Sequence, residues 1–121
     1  MTLTQDQVIA ALQAALREFR THHPDITAAR ILTLLAVARS PGIQQSEISS
    51  AIGDMSQAAS SRNVLDWTEL NSARQVGPDF IAQRPDPNFR KRNVLYLTPK
   101  GHAFLGKIAS TVNARIDRRT S

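Results

Sequence analysis

The strongest constraint on the fold lies between residues 80 and 101. Two short runs rich in strand-forming residues, Phe80–Arg84 and Asn93–Leu97, flank a segment that begins with Pro-Asp-Pro-Asn and ends with three consecutive cations. Turn residues between two such runs predict an antiparallel hairpin. Thr98 and Pro99 follow at once, and this pair is typical of a helix N-cap and the first helical position. The segment therefore predicts a two-stranded hairpin with a basic tip, followed directly by a helix.

Apolar residues at helical spacing predict five helices along the chain. Their expected bounds are about 4–21, 25 or 27 to 39, 44–52, 56 to at least 67, and 99–118. The first helix opens on a capping-box pattern of Thr4 and Gln7. The third and fourth are short and are joined by a tight turn at Gly53, which is the pattern of a helix-turn-helix unit. The expected fold class is α+β and mostly helical: a winged helix-turn-helix with a two-stranded basic wing, in a single domain over residues 1–121.

Charge is divided unevenly along the chain. Residues 1–83 carry six Lys and Arg against eight Asp and Glu, whereas residues 84–121 carry nine against two, a net charge of +7. A basic final third indicates a polyanionic partner that this part of the chain contacts. Charge alone is equally compatible with a basic surface that has no partner.

Several classes of protein lack support in these residues. Because the sequence contains no cysteine, disulfides, thiol redox sensing and cysteine-ligated zinc are excluded. His22, His23 and His102 do not have the spacing of a metal site, and no phosphate-binding loop, nucleophile elbow or paired-carboxylate motif is present. Neither a membrane span nor a secretory signal is visible. We expect a cytoplasmic, nucleoid-associated protein that is not an enzyme and uses no metal or cofactor.

The fourth helix supplies the first part of a candidate DNA-binding site. The second helix of a helix-turn-helix unit enters the major groove, where Arg can read guanine and small or amide side chains can approach base edges. The residues of this helix expected to contact DNA are Ser56, Gln57, Ala58, Ser61 and Arg62. Arg62 is the expected base reader, although an ordinary solvated helix face has the same composition.

The third helix and the wing supply the second part of the candidate site. At the expected start of the third helix, side chains that can donate to phosphate are Gln44, Gln45 and Ser46. In the wing, the cations expected to meet the DNA backbone, with one possible minor-groove insertion, are Arg84, Arg90, Lys91 and Arg92. Simple helix capping and a solvated charge run are the corresponding structural alternatives.

Three stretches resemble the MarR-type winged-helix regulators: Gly42–Ile48, Ser61–Arg62 and Val94–Gly101. The last, Val-Leu-Tyr-Leu-Thr-Pro-Lys-Gly, is the most specific, and the resemblance covers about residues 26–105. It implies a transcription regulator, in the simplest case a repressor, that binds a pseudo-palindromic site on double-stranded DNA as a homodimer. Members of the family often bind small aromatic ligands between the dimer arms and the DNA-binding lobe. No polar cluster in this sequence points to such a small-molecule effector.

The first and last helices resemble the arms through which MarR-type proteins pair. Together these two helices carry more apolar surface than a monomer of this size readily buries. The residues expected at the dimer contact are Leu12, Leu16 and Phe19 on the first helix and Leu105, Ile108 and Val112 on the last. The chain is short for the family, so these arms are expected to be trimmed.

Two features depart from the family pattern. Asn88 and Phe89 stand where the family places a wing-tip Asp paired with an Arg. The stretch 68–77 is about ten residues longer than the usual turn into the wing, and it either lengthens the recognition helix or forms an extra turn. Two other functions stay open: a phage- or plasmid-type replication, partition or architectural DNA-binding factor, and a winged-helix module that binds an acidic protein.

Overall fold

The computed structural model describes residues 2–53 and 55–120, with side chains as far as residue 117. Asp54, in the turn expected at Gly53, lies outside the described residues. The helices and strands are α1 Gln5–Arg20, α2 Ala28–Arg39, β1 Ile43–Gln44, a 3₁₀ turn Gln45–Glu47, α3 Ile48–Ile52, α4 Gln57–Leu65, β2 Ile81–Pro85, β3 Asn93–Leu97 and α5 Pro99–Thr120. They form two compact units, a terminal unit up to Ile26 and from Ala103 onward, and a central unit, Thr27–His102. Among the described residues, none of the helices combines the length and apolar character needed to cross a bilayer.

The start of α1 is confirmed, but one of its residues expected at the dimer contact lies in the core of the terminal unit. Thr4 Oγ1 accepts from Gln7 N at 3.1 Å, and Gln7 Oε1 accepts from Thr4 N at 2.9 Å, which completes the capping box. Phe19 is buried and meets Phe104 edge to face at 5.4 Å, and Ile108 of the last helix is also buried, so the prediction that these two residues contact a partner chain is wrong. Leu12 and Leu16 are instead 56% and 48% exposed. The apolar residues of α1 are therefore split between an inner face and an outer stripe.

The predicted wing hairpin is present, but the sheet has three strands rather than two. Both β1 and β2 pair antiparallel with β3, in the order β1-β3-β2. Gly42 N donates to Leu95 O at 2.8 Å and starts the pairing that places Gln44 opposite Val94. The third helix therefore begins at Ile48 rather than at residue 44, after a 3₁₀ turn that Gln44 precedes.

The fourth helix ends at Leu65, earlier than predicted, because Trp67 is held by other elements. The Trp67 carbonyl accepts from Phe80 N at 2.7 Å and from Ile81 N at 3.0 Å, so the backbone turns out of the helix. The indole Nε1 donates to Arg30 O at 2.7 Å, and the ring stacks on Phe80. Trp67 is 1% exposed and joins α2, α4 and β2 in the core of the central unit.

Residues 68–77 form an extra turn and do not extend the helix. Leu70 and Val76 make an isolated antiparallel bridge, and Asn71 Oδ1 accepts from Ala73 N and Gln75 N within the turn. A Cβ on Gly77 would lie 2.1 Å from Thr68 O, so only glycine permits this approach. We call residues 70–76 the inserted hairpin.

The junction from β3 to α5 explains the most specific stretch of the sequence. Thr98 Oγ1 accepts from Gly101 N at 3.0 Å and donates to Asp79 O at 2.6 Å, so it caps α5 and ties it to the segment before β2. A Cβ on Gly101 would lie 2.4 Å from Phe80 O. The Thr-Pro-Lys-Gly run therefore permits a close contact between the first turn of α5 and the strand segment.

Candidate nucleic-acid interface

Helix α4 presents a face of small side chains and one long cation. Ser56 is its N-cap, and its Oγ accepts from Ala59 N at 3.1 Å. Val64 is fully buried against the core. Ala58 and Arg62 are exposed and Ser61 is half-buried, as predicted for an outward face. Small side chains of this kind let a helix approach base edges closely.

A cleft of about 280 Å³ lies between the start of α4 and the base of the wing. The residues that line it are Gln45, Ser46, Gln57, Lys91, Arg92 and Asn93. Five of these six were predicted as DNA-contacting residues, and none of the six is acidic. We call this surface the wing cleft. It combines amide and hydroxyl groups with two cations, which suits a surface that meets both base edges and phosphates.

Gln57 links the two helices of the helix-turn-helix unit. Its Nε2 donates to Ser46 O at 3.2 Å and to Ser49 Oγ at 2.9 Å. Because these bonds use the amide hydrogens, the Oε1 atom is the group that Gln57 can offer to a partner. Gln57 therefore orients the start of α4 and presents an acceptor.

The wing is anchored at its base and at its tip. At the base, Gln83 Nε2 donates to Gln45 Oε1 at 3.2 Å. At the tip, the buried Asp86 accepts from Asn88 N at 2.9 Å through Oδ1, and its backbone N donates to Arg92 O at 2.8 Å. Asp86 thus anchors the wing with a carboxylate, whereas the family pattern places an Asp paired with an Arg at the position of Asn88 and Phe89. The anchor lies two residues earlier and acts on the backbone.

Solved structures of the same architecture include RV1404 from Mycobacterium tuberculosis, with a TM-score of 0.70 and 18% identity over 99% of this chain and 82% of that chain. A MarR variant from Escherichia coli, solved with operator DNA, has a TM-score of 0.59 and 19% identity over 93% and 75%. BpsR from Bordetella bronchiseptica, whose DNA binding is regulated by 6-hydroxynicotinic acid, has a TM-score of 0.53 and 23% identity over 93% and 80%. The chain has the MarR-type winged-helix fold. No protein-family sequence model and no curated sequence matches it, so the likeness is one of structure.

Within this MarR-type fold, the remaining predicted residues lie outside the wing cleft. Arg84 sits over the Tyr96 ring at 5.7 Å, on the same face of the sheet as Gln44. Arg62 borders a separate cleft beside the start of α2, together with Thr27. Arg90 is exposed at the wing tip. The predicted set of twelve therefore divides into five residues that line the wing cleft and seven that do not, three of which are cations.

Three residues that help to build the MarR-type wing were missed in the sequence. Gln83 and Asn93 lie in predicted strands, where nothing in their spacing marks them as interface residues. Asp86 could have been recognised, because the run Asp-Pro-Asn is typical of a turn in which the Asp side chain accepts a backbone N–H two residues on. That bond is the one found between Asp86 and Asn88.

Proposed function

We propose that this chain is a transcription regulator that binds specific sequences in double-stranded DNA through α4 and the wing. The wing cleft is the observation that carries the proposal. Lys91 and Arg92 lie there beside the amide groups of Gln45 and Gln57, with no acidic residue in the lining. Cations of this kind neutralise phosphates, while amide and guanidinium groups read base edges.

In this proposal the two elements contribute differently. The outward face of α4, with Ala58, Ser61 and Arg62, enters the major groove and selects the sequence. The wing cations meet the backbone of the adjacent strand and supply affinity for any duplex. The bond from Gln83 to Gln45 holds the wing in register with the start of the helix-turn-helix unit.

We further propose that the chain acts as a homodimer through α1 and the last helix. In the terminal unit, α1 exposes a stripe of large apolar residues that a second copy can cover, comprising Val8, Ile9, Leu12 and Leu16. A homodimer carries two α4 helices related by a two-fold axis, which suits a pseudo-palindromic site. Occlusion of a promoter is then the simplest route to repression.

The known proteins of this fold support the same assignment. The E. coli structure contains operator DNA, and the DNA binding of BpsR is regulated by a small molecule. We therefore expect this chain to combine DNA binding with a small-molecule effector. The candidate sites for that effector are the clefts of this chain.

Selection of bound fragments from random double-stranded DNA, followed by footprinting on the selected sequence, tests the proposal. A short footprint with two-fold symmetry supports a dimeric regulator. Continuous coating of long DNA with no preferred sequence would indicate an architectural factor instead. Absence of binding at low salt would leave the protein-interaction module as the better description.

A further inference from the structure

A second cleft, of about 430 Å³, lies between the end of α4, β2 and the inserted hairpin. All of it belongs to the central unit. Its apolar lining consists of Leu65, Leu70, Ile81 and Ala82. The volume falls within the range of about 300–1,000 Å³ that is usual for small-molecule sites. We call it the hairpin cleft.

The wall formed by the inserted hairpin is held in place by hydrogen bonds at both ends. Gly77 N donates to Glu69 O at 2.9 Å, which closes the base of the hairpin. Near its tip, Ser72 donates through both N and Oγ to Asp66 Oδ1, and the other oxygen of Asp66 pairs with Arg30 of α2 at 2.5 Å. A wall fixed in this way reduces the ordering cost of binding a ligand.

The charge of the hairpin cleft is negative, in contrast to that of the wing cleft. Glu69 and Asp79 line it, and no Lys or Arg does. Asp79 lies 3.9 Å from Lys100 Nζ, so its charge is already partly balanced. Within the described part of the chain, no ion pair involves Glu69, which is exposed. Glu69 is therefore the group that can select the charge of a ligand.

The other polar groups of the lining are already engaged. Thr68 Oγ1 bonds to the carbonyl oxygens of Leu65 and Leu70 at 2.7 and 2.8 Å. The Gln83 amide donates to Gln45. The cleft thus offers apolar surface, the unpaired carboxylate of Glu69 and the partly balanced carboxylate of Asp79, which together complement an apolar body that carries a positive charge.

We propose that the hairpin cleft binds a small amphipathic amine, with its apolar body against Leu65 and Leu70 and its ammonium group at Glu69. A carboxylate of the same shape would be repelled. Gln83 lines this cleft and also bonds to Gln45 in the wing cleft. A ligand in the hairpin cleft would therefore affect the contact between the wing and the helix-turn-helix unit. That consequence rests on the proposed function, whereas the binding itself does not.

Amide NMR titration of the DNA-free protein tests the binding with three probes of matched shape: phenethylamine, 2-phenylethanol and phenylacetate. We expect saturable shifts at Leu65, Glu69 and Ile81 with phenethylamine, weaker binding of the alcohol and the weakest binding of phenylacetate. Glu69→Gln should lower the affinity for phenethylamine about 2–5-fold, to the level of the alcohol, because partly exposed ion pairs contribute modestly. Asp25→Asn, which removes the same charge outside the cleft, should leave all three affinities unchanged.

A second variant separates the site from the charge effect. Ala82→Phe places a ring in the cleft and should abolish binding of both phenethylamine and 2-phenylethanol. Equal binding of the three probes, or unchanged phenethylamine binding in Glu69→Gln, would overturn the proposal. So would shifts confined to residues outside the cleft. Since DNA is absent from these titrations, failure here is distinguishable from failure of the proposed DNA-binding function.

Discussion

The side-chain amide of Gln83 donates to Gln45 Oε1 at 3.2 Å, and this bond joins β2 of the wing to the 3₁₀ turn before α3. The two residues are 38 positions apart in the chain. Gln45 lines the wing cleft, whereas Gln83 lines the hairpin cleft on the other side of the bond. The pair is therefore the direct side-chain link between the surface proposed to bind DNA and the surface proposed to bind an amine.

Gln83→Met keeps the length of the side chain and removes the donor. We expect affinity for specific and random DNA to fall by a similar factor, about 2–10-fold, because one neutral hydrogen bond contributes about 0.5–1.5 kcal/mol. Fluorescence anisotropy with both duplexes measures the two affinities. Gln75→Met, an exposed position in the inserted hairpin, is the matched control. Loss of sequence preference in Gln83→Met would show that Gln83 reads a base and does not act as a positioning residue.

Arg62→Ala should behave differently, because Arg62 lies on the outward face of α4. A bidentate Arg–guanine pair contributes about 1–3 kcal/mol of discrimination, so this variant should lose that much on the preferred site and become indifferent at one symmetric base pair. Its affinity for random DNA should change little. Competition binding with single-base variants of the selected site gives the measurement. A loss that is equal on specific and random DNA would make Arg62 a phosphate contact, a role that its position beside the start of α2 also permits.

The order of elements was predictable from the sequence because each signal is local. The Thr4–Gln7 capping box, the strand-forming run at Asn93–Leu97 and the Thr98–Pro99 helix start all act within a few residues, and all three are present. The errors arose where distant residues decide the conformation. Pairing with Leu95 draws residues 43 and 44 into a strand, and the bonds of Trp67 to Phe80 and Ile81 end α4 early.

The same distinction separates the predicted and missed parts of the site. Runs of cations and helix faces are visible in a sequence, so the residues of the wing cleft were mostly found. The bond between Gln83 and Gln45 depends on a register between separate elements, which local spacing does not encode. The role of Phe19 was misjudged for a related reason. Helical spacing marks apolar residues, but only the packing of Phe19 on Phe104 shows which of them face inward.

The apolar stripe of α1 predicts the oligomeric state. Light scattering at micromolar concentration should give twice the chain mass of 13.3 kDa. Replacing both Leu12 and Leu16 by Asp should give a monomer and weaken DNA binding together with dimerisation, because charges cannot be buried unpaired in an interface. Val76→Asp, at a position 91% exposed in the inserted hairpin, should stay dimeric. A wild-type monomer at this concentration would remove the homodimer from the proposed function.

His22 predicts how the stability of the terminal unit depends on pH. Burial, with a further contribution from the positive charge of Lys107, lowers the pKa of His22, while Glu18 opposes the shift. Since the unfolded chain then binds the proton more readily than the folded chain, stability should fall as pH drops below about 6.5 and be unaffected by this group above that value. His22→Gln should reduce the decline in melting temperature between about pH 7.5 and about pH 5.5. His102→Gln, at an exposed position, should retain the full decline.

The wing should contribute affinity through electrostatics and not through sequence reading. Arg90, Lys91 and Arg92 are consecutive and exposed at the end of a hairpin, so they cannot all reach base edges. The position of the Arg92 guanidinium, 4.8 Å from the Phe89 ring centre, keeps this cation close to the wing tip. Each phosphate that such a cation neutralises releases counterions, which lowers log affinity by about 0.9 for each unit of log salt.

Replacing these three cations by Gln should therefore weaken binding to specific and random DNA by similar factors and flatten the salt slope by about two units. Titrations between about 50 and 200 mM salt measure the slope. The matched control replaces three other cations by Gln at exposed positions outside the wing, Arg17, Arg39 and Arg115, and should change the slope by less than one unit.

Because Arg62→Ala should lose sequence preference at a nearly constant salt slope, the Arg62 variant and the wing variant separate base reading from backbone contact. A wing variant with full affinity and an unchanged slope would mean that the basic tip faces something other than DNA, and an acidic protein would then become the better partner.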